Sequence, residues 1–452
     1  MKRSSIDALA HLAPGGSQPA QPEARPSQPP AGVSRLVGRV RQLHRIWRSE
    51  GGHGVSRRAR AAVADLLAPT GERMPVAAAD VIAADLTQAF RPAPRRREAG
   101  APWVINWVAG PTGAGSGGHT TIYRIANYLQ ERGFINRVYF YDVHNVDLDA
   151  YAAVLRNSYG FKGEIFNVRN GMADADAVFA TSWPTAYAVF NSRCAGKRFY
   201  FVQDYEPDFY PAGSLSELAR NTYQMGFHGI TAGPWLAERL ELEFGMQADH
   251  FDFGCDAEQY AILPGGVRDG ISFYARPEVQ RRGFELGIMA LERFSKRRPD
   301  LKIHLYGQSI ERLPFAFVNH GRVNPAALNA VYNRCFAGLS LSLTNTSLVP
   351  HEMLAAGCIP VVNDARYNRL VLDNPFVRYA STAPAALSDA LEAVAGMPDF
   401  AACAAAAARS VQGLHWDKGG EVVERILLEQ FAAKAGSAAG HSALHAQQET
   451  FT

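Results

Sequence analysis

Short apolar runs alternate with amphipathic helical patterns between residues 101 and 430. The run WVINWVAG at 103–110 has the length and composition of a buried strand. The segment TTIYRIANYLQERG at 120–133 has the apolar spacing of a helix that ends at Gly133. Further apolar runs lie at 136–142, 164–168, 177–182, 198–204 and 229–233. Strands that alternate with helices favour a parallel sheet covered by helices.

A second series of the same kind begins after residues 264–266 (PGG). The chain therefore reads as an α/β protein with two Rossmann-like, doubly wound sheets and a breakpoint near 260–270. In such sheets, ligands bind outside the carboxyl ends of the strands, so we expect a site in the cleft between two such domains. The apolar runs of the second series are 271–276, 301–307, 315–323, 337–343 and 358–364, and its first helical patterns are 284–297 and 325–335.

Composition divides the chain further. Residues 12–34 are rich in Pro, Gly, Ser and Gln and carry too little apolar surface to order themselves. The predicted segments are a disordered tail (1–34), a basic helical extension (35–100), a first domain (101–265), a second domain (266–416), a C-terminal helix (417–435) and a disordered tail (436–452).

The formal net charge is only +3, from 46 Lys+Arg and 43 Asp+Glu, which argues against a nucleic-acid binder. The positive charge is concentrated in residues 1–100, whose net charge is +8. The basic amphipathic pattern at 35–48 suits either an anionic membrane surface or packing on the globular body with its arginines in solvent.

The five cysteines are scattered and form no CxxC pair, so the sequence indicates neither a zinc site nor a disulfide framework. No apolar run approaches the roughly 20 residues of a membrane span. The N-terminal residues also lack the apolar segment of a secretory signal. We therefore expect a cytoplasmic protein, with peripheral contact at the inner face of the membrane as the role open to the basic segment.

A glycine-rich stretch, GPTGAGSGGHT at 110–120, follows the first predicted strand and opens a helix. Gly117 and Gly118 let the backbone approach an anion closely. The stretch lacks the Lys of a phosphate-binding P-loop and fits the dinucleotide pattern only loosely, so a tight strand-to-helix turn is an equally open interpretation. His119 is a candidate general base, a phosphate-facing donor or only a residue of the helix N-terminus.

An acidic stretch, QDYEPDFYP at 203–211, follows another strand. Its carboxylates stand among aromatic rings, a combination that suits sugars because hydroxyls need acceptors and ring faces need apolar planes. Asp204 is a candidate catalytic residue, and Glu206 and Asp208 are candidate acceptor-binding residues. A solvated acidic loop is the alternative.

Two arginines mark a strand-to-helix junction in ARPEVQRRG at 275–283. Arg276 and Arg282 suit a diphosphate, which accepts bidentate hydrogen bonds and needs compensating charge. Arg281 is able to substitute for Arg282, and a solvated basic turn is the alternative. By contrast, the DxD triplet at 174–176 resembles a metal motif but stands directly before a strand, so we expect no metal site there.

The last candidate stretch, TNTSLVPHEMLAAGCIPVV at 344–362, joins a strand to a helix that carries Glu352. The helix N-terminus suits a phosphate. Glu352 has the reach to bond a ribose hydroxyl, although an acidic residue near a helix N-terminus also complements the helix dipole.

Two of these stretches resemble a known family. HEMLAAGCIPVVND is similar to the "E-A-M-A-x-G-x-P-V" signature of the family-4 retaining glycosyltransferases, which have the GT-B fold. ARPEVQRRGFELGIMAL resembles their arginine-containing stretch. The GGH opening, the phrase YFVQDYEPDFYP and RRGFELG resemble the WsaF-type rhamnosyltransferases most closely, and the resemblance extends from about residue 100 to 430.

The resemblance implies roles for individual residues. The first domain would bind an acceptor and the second a nucleotide sugar. Thr344 stands where the family usually has a glutamate that contacts the donor sugar, which leaves the identity of that sugar open. The implied residues are Arg276, Arg282, Gly117, Gly118 and Ser347 for the donor diphosphate; Glu352, Thr344, Asn345 and Thr346 for the ribose and sugar; and Gly321 and Val323 for the base.

The expected activity is that of a retaining rhamnosyltransferase that uses dTDP-L-rhamnose, without a metal or other cofactor, to extend a bacterial surface polysaccharide. Its expected partners are a nucleotide-sugar donor and a glycan or lipid-linked glycan acceptor. Two alternatives stay open: an NAD-dependent nucleotide-sugar epimerase or dehydrogenase, and a non-catalytic scaffold of a polysaccharide assembly complex.

Overall fold

The computed structural model describes residues 74–448 except 89, 91, 144–147 and 257, and describes side chains as far as residue 432. These residues form two parallel β-sheets, one after the other along the chain, with helices between the strands. This confirms the fold class predicted from the alternating pattern.

The first sheet has seven strands in the order β3-β2-β1-β4-β5-β6-β7. They are β1 (Val104–Ala109), β2 (Ile135–Phe140), β3 (Glu164–Asn167), β4 (Ala177–Ala180), β5 (Lys197–Val202), β6 (His228–Ala232) and β7 (Ala248–Phe251). The accompanying helices are α1 (Ala78–Ala83), α2 (Gly117–Glu131), α3 (Leu148–Tyr159), α4 (Trp183–Asn191), α5 (Ser214–Thr222) and α6 (Pro234–Phe244).

The second sheet has six strands in the order β10-β9-β8-β11-β12-β13. They are β8 (Gly270–Tyr274), β9 (Lys302–Tyr306), β10 (Val318–Asn319), β11 (Cys335–Ser340), β12 (Ile359–Asn363) and β13 (Arg378–Ala380). The helices of this half are α7 (Phe284–Arg297), α8 (Pro325–Asn333), α9 (Val349–Ala355), α10 (Arg366–Leu372), α11 (Pro384–Ala395), α12 (Phe400–Ser410) and α13 (Trp416–Gln448).

Strand β1 shows why the strands have nearly continuous apolar sequences. Val104 and Val108 pack into the core on one face of the sheet, while Ile105 and Trp107 pack into the core on the other face. Side chains alternate between faces along a strand, and helices cover both faces of a parallel sheet. Apolar residues are therefore needed at nearly every position.

The chain passes twice between the two sheets. The first crossing, residues 252–269, leads from β7 to β8, and the second, residues 411–415, leads from α12 to α13. Helix α13 then packs back on the first sheet, where Val423, Ile426 and Leu427 join the core that contains Ile105 and Trp107. The last helix therefore ties the second half to the first.

Helix α13 runs to Gln448, past residue 435, where the sequence had been expected to leave the helix for a disordered tail. Alanines recur through residues 432–444, and alanine has the highest helix propensity of all residues, which outweighs the glycines in this stretch. Of the predicted N-terminal segments, residues 1–73 lie outside the described part. Residues 74–100 contain α1, and Arg95 in this stretch pairs with Asp176 at 2.6 Å.

In the part of the chain that the structure describes, no single helix is long and apolar enough to cross a membrane. Helices α11 and α12 pass that test of length and composition only as a pair, and they are bent by 106° relative to each other.

The packing of α13 can be tested at Gly420, where a Cβ atom would lie 2.4 Å from Cγ of Tyr128 on α2. We expect Gly420→Ala to lower the free energy of unfolding by about 1–3 kcal/mol, because the base of an aromatic ring cannot move aside. Gly413→Ala is the matched control, since its Cβ would meet no atom within 4 Å. Chemical denaturation of both variants checks this. Equal stability of the two would contradict the packing described here.

Candidate functional site

The carboxyl ends of the two sheets meet, and this region is called the cleft below. The side-chain amide of Asn345, after β11, donates to the carbonyl oxygens of Gln203 and Ala232 at 2.8 and 3.4 Å. Gln203 in turn donates to the carbonyl of Gly118 at 3.1 Å. Three stretches singled out from the sequence are thus brought together, as expected for loops at the carboxyl ends of parallel strands.

The glycine-rich loop between β1 and α2 is shaped by its own side chains. The hydroxyl of Tyr159 donates to the carbonyl of Gly113 at 2.7 Å and accepts from the backbone N–H of Ser116 at 3.2 Å. Nδ1 of His119 lies 2.9 Å from the Ser116 hydroxyl, and the carbonyl of Gly110 accepts a hydrogen bond from the imidazole. These contacts make His119 part of the loop's framework.

Burial lowers the pKa of His119 below its usual value, while the Gly110 carbonyl opposes that effect. The imidazole is therefore neutral near pH 7. A role as general base requires that one of these loop contacts be released when substrates bind.

Three arginines face the cleft from the loop between β8 and α7. Arg276 donates to the hydroxyl of Tyr274 at 3.1 Å, and Arg282 donates to the hydroxyl of Ser342. The guanidinium of Arg281 lies 4.4 Å from the ring centre of Phe209, which belongs to the other half. Burial lowers the pKa of Arg282, and the charge of Arg281 acts in the same direction.

Asp204 is the carboxylate that lies close to these arginines. Its Oδ2 lies 3.4 Å from Nε of Arg281, and its Oδ1 accepts from the backbone N–H of Tyr205 at 3.0 Å. Burial raises the pKa of Asp204, whereas Arg281, Arg282 and the hydroxyl of Thr344 oppose the rise. Among the described residues, Asp204–Arg281 is the single ion pair made by the three arginines. Arg276 and Arg282 therefore have no ion-pair partner within the described residues, and Glu278, the carboxylate in the same loop, is exposed and pairs with none of the three.

Two buried polar atoms in the cleft have no hydrogen-bond partner within the described residues: Nε of Arg281 and Oδ1 of Asn345. The 3.4 Å contact between Arg281 and Asp204 has the distance of an ion pair without the geometry of a hydrogen bond. Buried polar groups are seldom left unpaired, so the cleft is suited to a polar ligand that accepts from Arg281 and donates to Asn345.

The other two members of the acidic stretch point elsewhere. Glu206 is 8% exposed and accepts from the backbone N–H of Trp183 at 2.5 Å and the hydroxyl of Tyr200 at 2.8 Å. Asp208 is half exposed and lies 3.5 Å from Arg239. Among the described residues, only Asp204 of the three forms an ion pair with the second half. The carboxylate of Glu206 is already bonded inside the first half, and its contact with an acceptor stays a prediction.

The turn after β11 supplies backbone rather than free side chains. Thr344, Asn345 and Thr346 are all buried. The hydroxyl of Thr346 donates to Oδ1 of Asn368 at 2.8 Å, and the hydroxyl of Ser347 lies 3.5 Å from that of Ser340. The side chains of Asn345 and Thr346 thus hold the turn in place, which leaves its N–H groups as the more accessible donors for a ligand.

Glu352 lies in α9 and keeps partial exposure. Its Oε2 accepts from the hydroxyl of Tyr332 at 3.4 Å. Burial raises the pKa of Glu352 to about 7, and Asp256 adds to the rise while Arg124 opposes it. Asp256 and Arg124 were not identified from the sequence, because an arginine inside a helix and an aspartate in a connecting segment carry no local motif.

The predicted base-binding residues lie at the edge of the second sheet, beyond β10. The carbonyl of Gly321 accepts from the backbone N–H of Gly307 at 2.8 Å, and Gly321 has a positive φ of 60°. Val323 packs against the core of the second half. These contacts fix the backbone beside the carboxyl end of β9.

Both carboxylates of the DxD triplet accept hydrogen bonds from neighbouring parts of the first half. Asp174 accepts from the backbone N–H of Ala195 at 2.8 Å, and Asp176 accepts from Val104 and Arg95. The part of the chain that the structure describes holds no group of three or more metal-binding side chains. A cavity of about 590 Å³ does lie in the first half, and none of the cleft residues named above lines it; its lining includes Asp80, Tyr141, Asp142, Arg169, Asn191 and Cys194.

Residues 269–392 match the family model described as WsaF, C-terminal domain. The O-antigen biosynthesis protein RfbC of Myxococcus xanthus is 34% identical over 289 residues, which are 60% of this chain. The chain spans only 22% of the length of that relative.

Solved structures share the fold. HepE of Anabaena in complex with UDP and glucose aligns with a TM-score of 0.56 at 13% identity, over 72% of this chain and 100% of that one. The pneumococcal O-GlcNAc transferase GtfA in complex with UDP and GlcNAc also aligns with a TM-score of 0.56, at 10% identity, over 73% and 99%. The chain has the fold of the GT-B glycosyltransferases, with a WsaF-like second half.

The placement of Glu206 predicts a pH dependence of stability. Burial raises the pKa of Glu206 to about 7, so the folded protein holds a proton that the unfolded chain releases near pH 4.5. The free energy of unfolding should therefore fall as the pH rises from about 5 to 8. In Glu206→Gln, we expect this fall to be smaller by about 1–3 kcal/mol. Unfolding measured at pH 5 and 8 checks this.

Asp208→Asn, two residues along, is the control and should leave the pH dependence as in the unaltered protein. If Glu206→Gln shows the same loss between pH 5 and 8 as the unaltered protein, the buried position of Glu206 is wrong.

Proposed function

We propose that this protein is a glycosyltransferase that moves a sugar from a nucleoside diphosphate donor to a growing bacterial surface glycan. The donor lies against the second half, and the acceptor approaches from the first half. The O-antigen biosynthesis name of the Myxococcus relative supports the polysaccharide context. The nucleotide and sugar bound by the HepE and GtfA structures support a nucleotide-sugar donor.

The observation that carries the proposal is the charge balance of the cleft. Arg276, Arg281 and Arg282 bring three positive charges to one loop, and Asp204 offsets one of them. The diphosphate of a nucleotide sugar carries two negative charges, which match the two that remain. Guanidinium groups bind such oxygens through charge-assisted, bidentate hydrogen bonds.

The same groups give a mechanism. As the bond between the sugar and the diphosphate breaks, negative charge builds up on the leaving oxygen. Fixed donors stabilise that charge most when they are in place before the reaction. The contacts of Arg282 with Ser342 and of Arg276 with Tyr274 hold two of the guanidinium groups in advance. We propose that these arginines make a metal ion unnecessary.

For the donor, we propose dTDP-L-rhamnose, with retention of configuration at the transferred carbon. The WsaF-like second half supports this choice. Thr344, in place of a carboxylate, leaves the sugar subsite less acidic than a glutamate would, which suits a 6-deoxy sugar with fewer hydroxyls to bind. Glu352 then accepts from the 3′-hydroxyl of the deoxyribose, and Gly321 and Val323 flank the base.

Ligand-induced stabilisation tests the assignment. We expect dTDP and dTDP-rhamnose to raise the melting temperature with and without EDTA, since saturation at a hundredfold excess over Kd adds about 2.7 kcal/mol. A shift only with NAD would favour the epimerase or dehydrogenase alternative. No shift with any nucleotide, and no turnover of any nucleotide sugar, would favour the scaffold.

Single substitutions test the arginine loop. We expect Arg276→Ala and Arg282→Ala each to weaken binding of the nucleoside diphosphate by about 1.5–3 kcal/mol, or roughly 10- to 100-fold, through the lost charge-assisted bond. Binding of the bare nucleoside should hardly change, so each variant loses part of the preference for the diphosphate. Isothermal titration measures both.

Arg293→Ala, an exposed position on α7, is the matched control and should bind as the unaltered protein does. If the arginine-loop variants keep the full preference for the diphosphate, the loop does not hold it.

A further inference from the structure

Arg124, in the middle of α2, touches both crossings between the halves. Its guanidinium forms an ion pair with Asp256 of the first crossing. The same group lies 4.8 Å from the ring centre of Trp416, the residue that follows the second crossing. One side chain of the first half therefore contacts both connections to the second half.

The two crossings are also joined to each other. The backbone N–H of Cys255 donates to the carbonyl of Leu414 at 2.7 Å. Gly254 lies so close to Trp416 that a Cβ atom there would be 2.6 Å from the Trp416 backbone nitrogen. The crossings and Arg124 thus form one packed unit.

This unit adjoins the helix that carries Glu352. The thiol of Cys255 lies 3.6 Å from the carbonyl oxygen of His351, the residue before Glu352. Tyr332, from α8, donates to Glu352, and Tyr260, from the first crossing, hydrogen bonds it as well. Arg124 is therefore placed to act on the donor side of the cleft from the opposite half.

We propose that Arg124 is a positioning residue for donor binding, which holds Asp256 and both crossings so that the carboxylate of Glu352 is set to accept the donor's hydroxyls. The inference rests on the proposed function, because it takes Glu352 as a donor ligand. It assigns a role in donor recognition to the acceptor-side half of the molecule.

Charge gives the physical reason. Asp256 and Glu352 are neighbouring carboxylates, and the negative charge of one disfavours ionisation of the other. Arg124 is the cation that offsets both. Hydrogen bonds from Tyr332 and Tyr260 also lower the pKa of Glu352, but these two groups are neutral donors. The other titratable groups around Glu352 are the phenol of Tyr306, the thiol of Cys255 and, on its own helix, the imidazole of His351.

Removing Arg124 would therefore raise the pKa of Glu352 further. A protonated carboxyl group accepts fewer hydrogen bonds than a carboxylate, so donor affinity would fall near neutral pH. Affinity would return as the pH rises and Glu352 ionises. A side chain that merely supports the fold would not produce this pH profile.

The experiment measures the Kd of dTDP by titration calorimetry between pH 6 and 9 in full-length variants. We expect Arg124→Met to weaken dTDP binding at pH 7 by about tenfold. At pH 9, the Kd of this variant should approach that of the unaltered protein, so the midpoint of its pH profile lies at a higher pH. Arg124→Lys should restore much of the affinity. Arg132→Met, at the residue that follows the same helix and is paired with Glu424 at 3.1 Å, should change nothing.

A double variant shows whether Arg124 acts through Glu352. We expect Glu352→Gln to weaken binding with little dependence on pH, and Arg124→Met to add little when combined with it. Additive losses, or an Arg124→Met profile parallel to that of the unaltered protein, would overturn the inference.

Hydrogen exchange of the same variants distinguishes a failure of the proposed role of Arg124 from a failure of the proposed function. We expect Arg124→Met to speed exchange in residues 252–256 and 411–416, while Arg132→Met does not. Unchanged exchange there would refute the clamp on the crossings, even if dTDP does not bind the unaltered protein. Failure of the unaltered protein to bind any nucleoside diphosphate, with faster exchange in the variant, would instead refute the proposed function and the donor role of Arg124.

Discussion

The side-chain amide of Asn345 joins the carboxyl edges of the two sheets, because it donates to the carbonyls of Gln203 and Ala232 at the ends of β5 and β6. Other contacts between the halves flank it, including the ion pair of Arg366 with Glu238 and the packing of Tyr367 on Trp235. With these contacts, the arginine loop of the second half meets Asp204 of the first. The proposed donor site depends on that contact between the halves.

The meeting brings together more positive than negative charge. A cleft with three guanidinium groups and one carboxylate needs an anion to balance it, and its unpaired polar atoms at Arg281 and Asn345 need hydrogen-bond partners. We propose that a nucleoside diphosphate meets both needs, since its phosphates accept hydrogen bonds and its hydroxyl and base N–H groups donate them. The Asp204–Arg281 ion pair also favours contact between the two halves before the donor binds, because each side chain offsets the charge of the other.

The sequence predicted the two sheets, because helices cover both faces of a parallel sheet and leave a continuous apolar run at strands such as β1. It also placed the motifs at strand ends, where connecting loops must lie. It did not predict that Glu206 turns inward to Tyr200, since only packing decides that. It also missed Arg124, whose partners Asp256 and Trp416 are 132 and 292 positions away.

Hydrogen exchange of the protein with and without dTDP tests the central claim most directly, because it reports which backbone segments a ligand covers. The account predicts slower exchange in the glycine-rich loop at 110–118, the arginine loop at 276–283 and the turn at 341–348, with little change around the cavity beside Tyr141 and Asn191. Protection confined to that cavity, or spread over the first half without the arginine loop, would contradict a diphosphate site in the cleft.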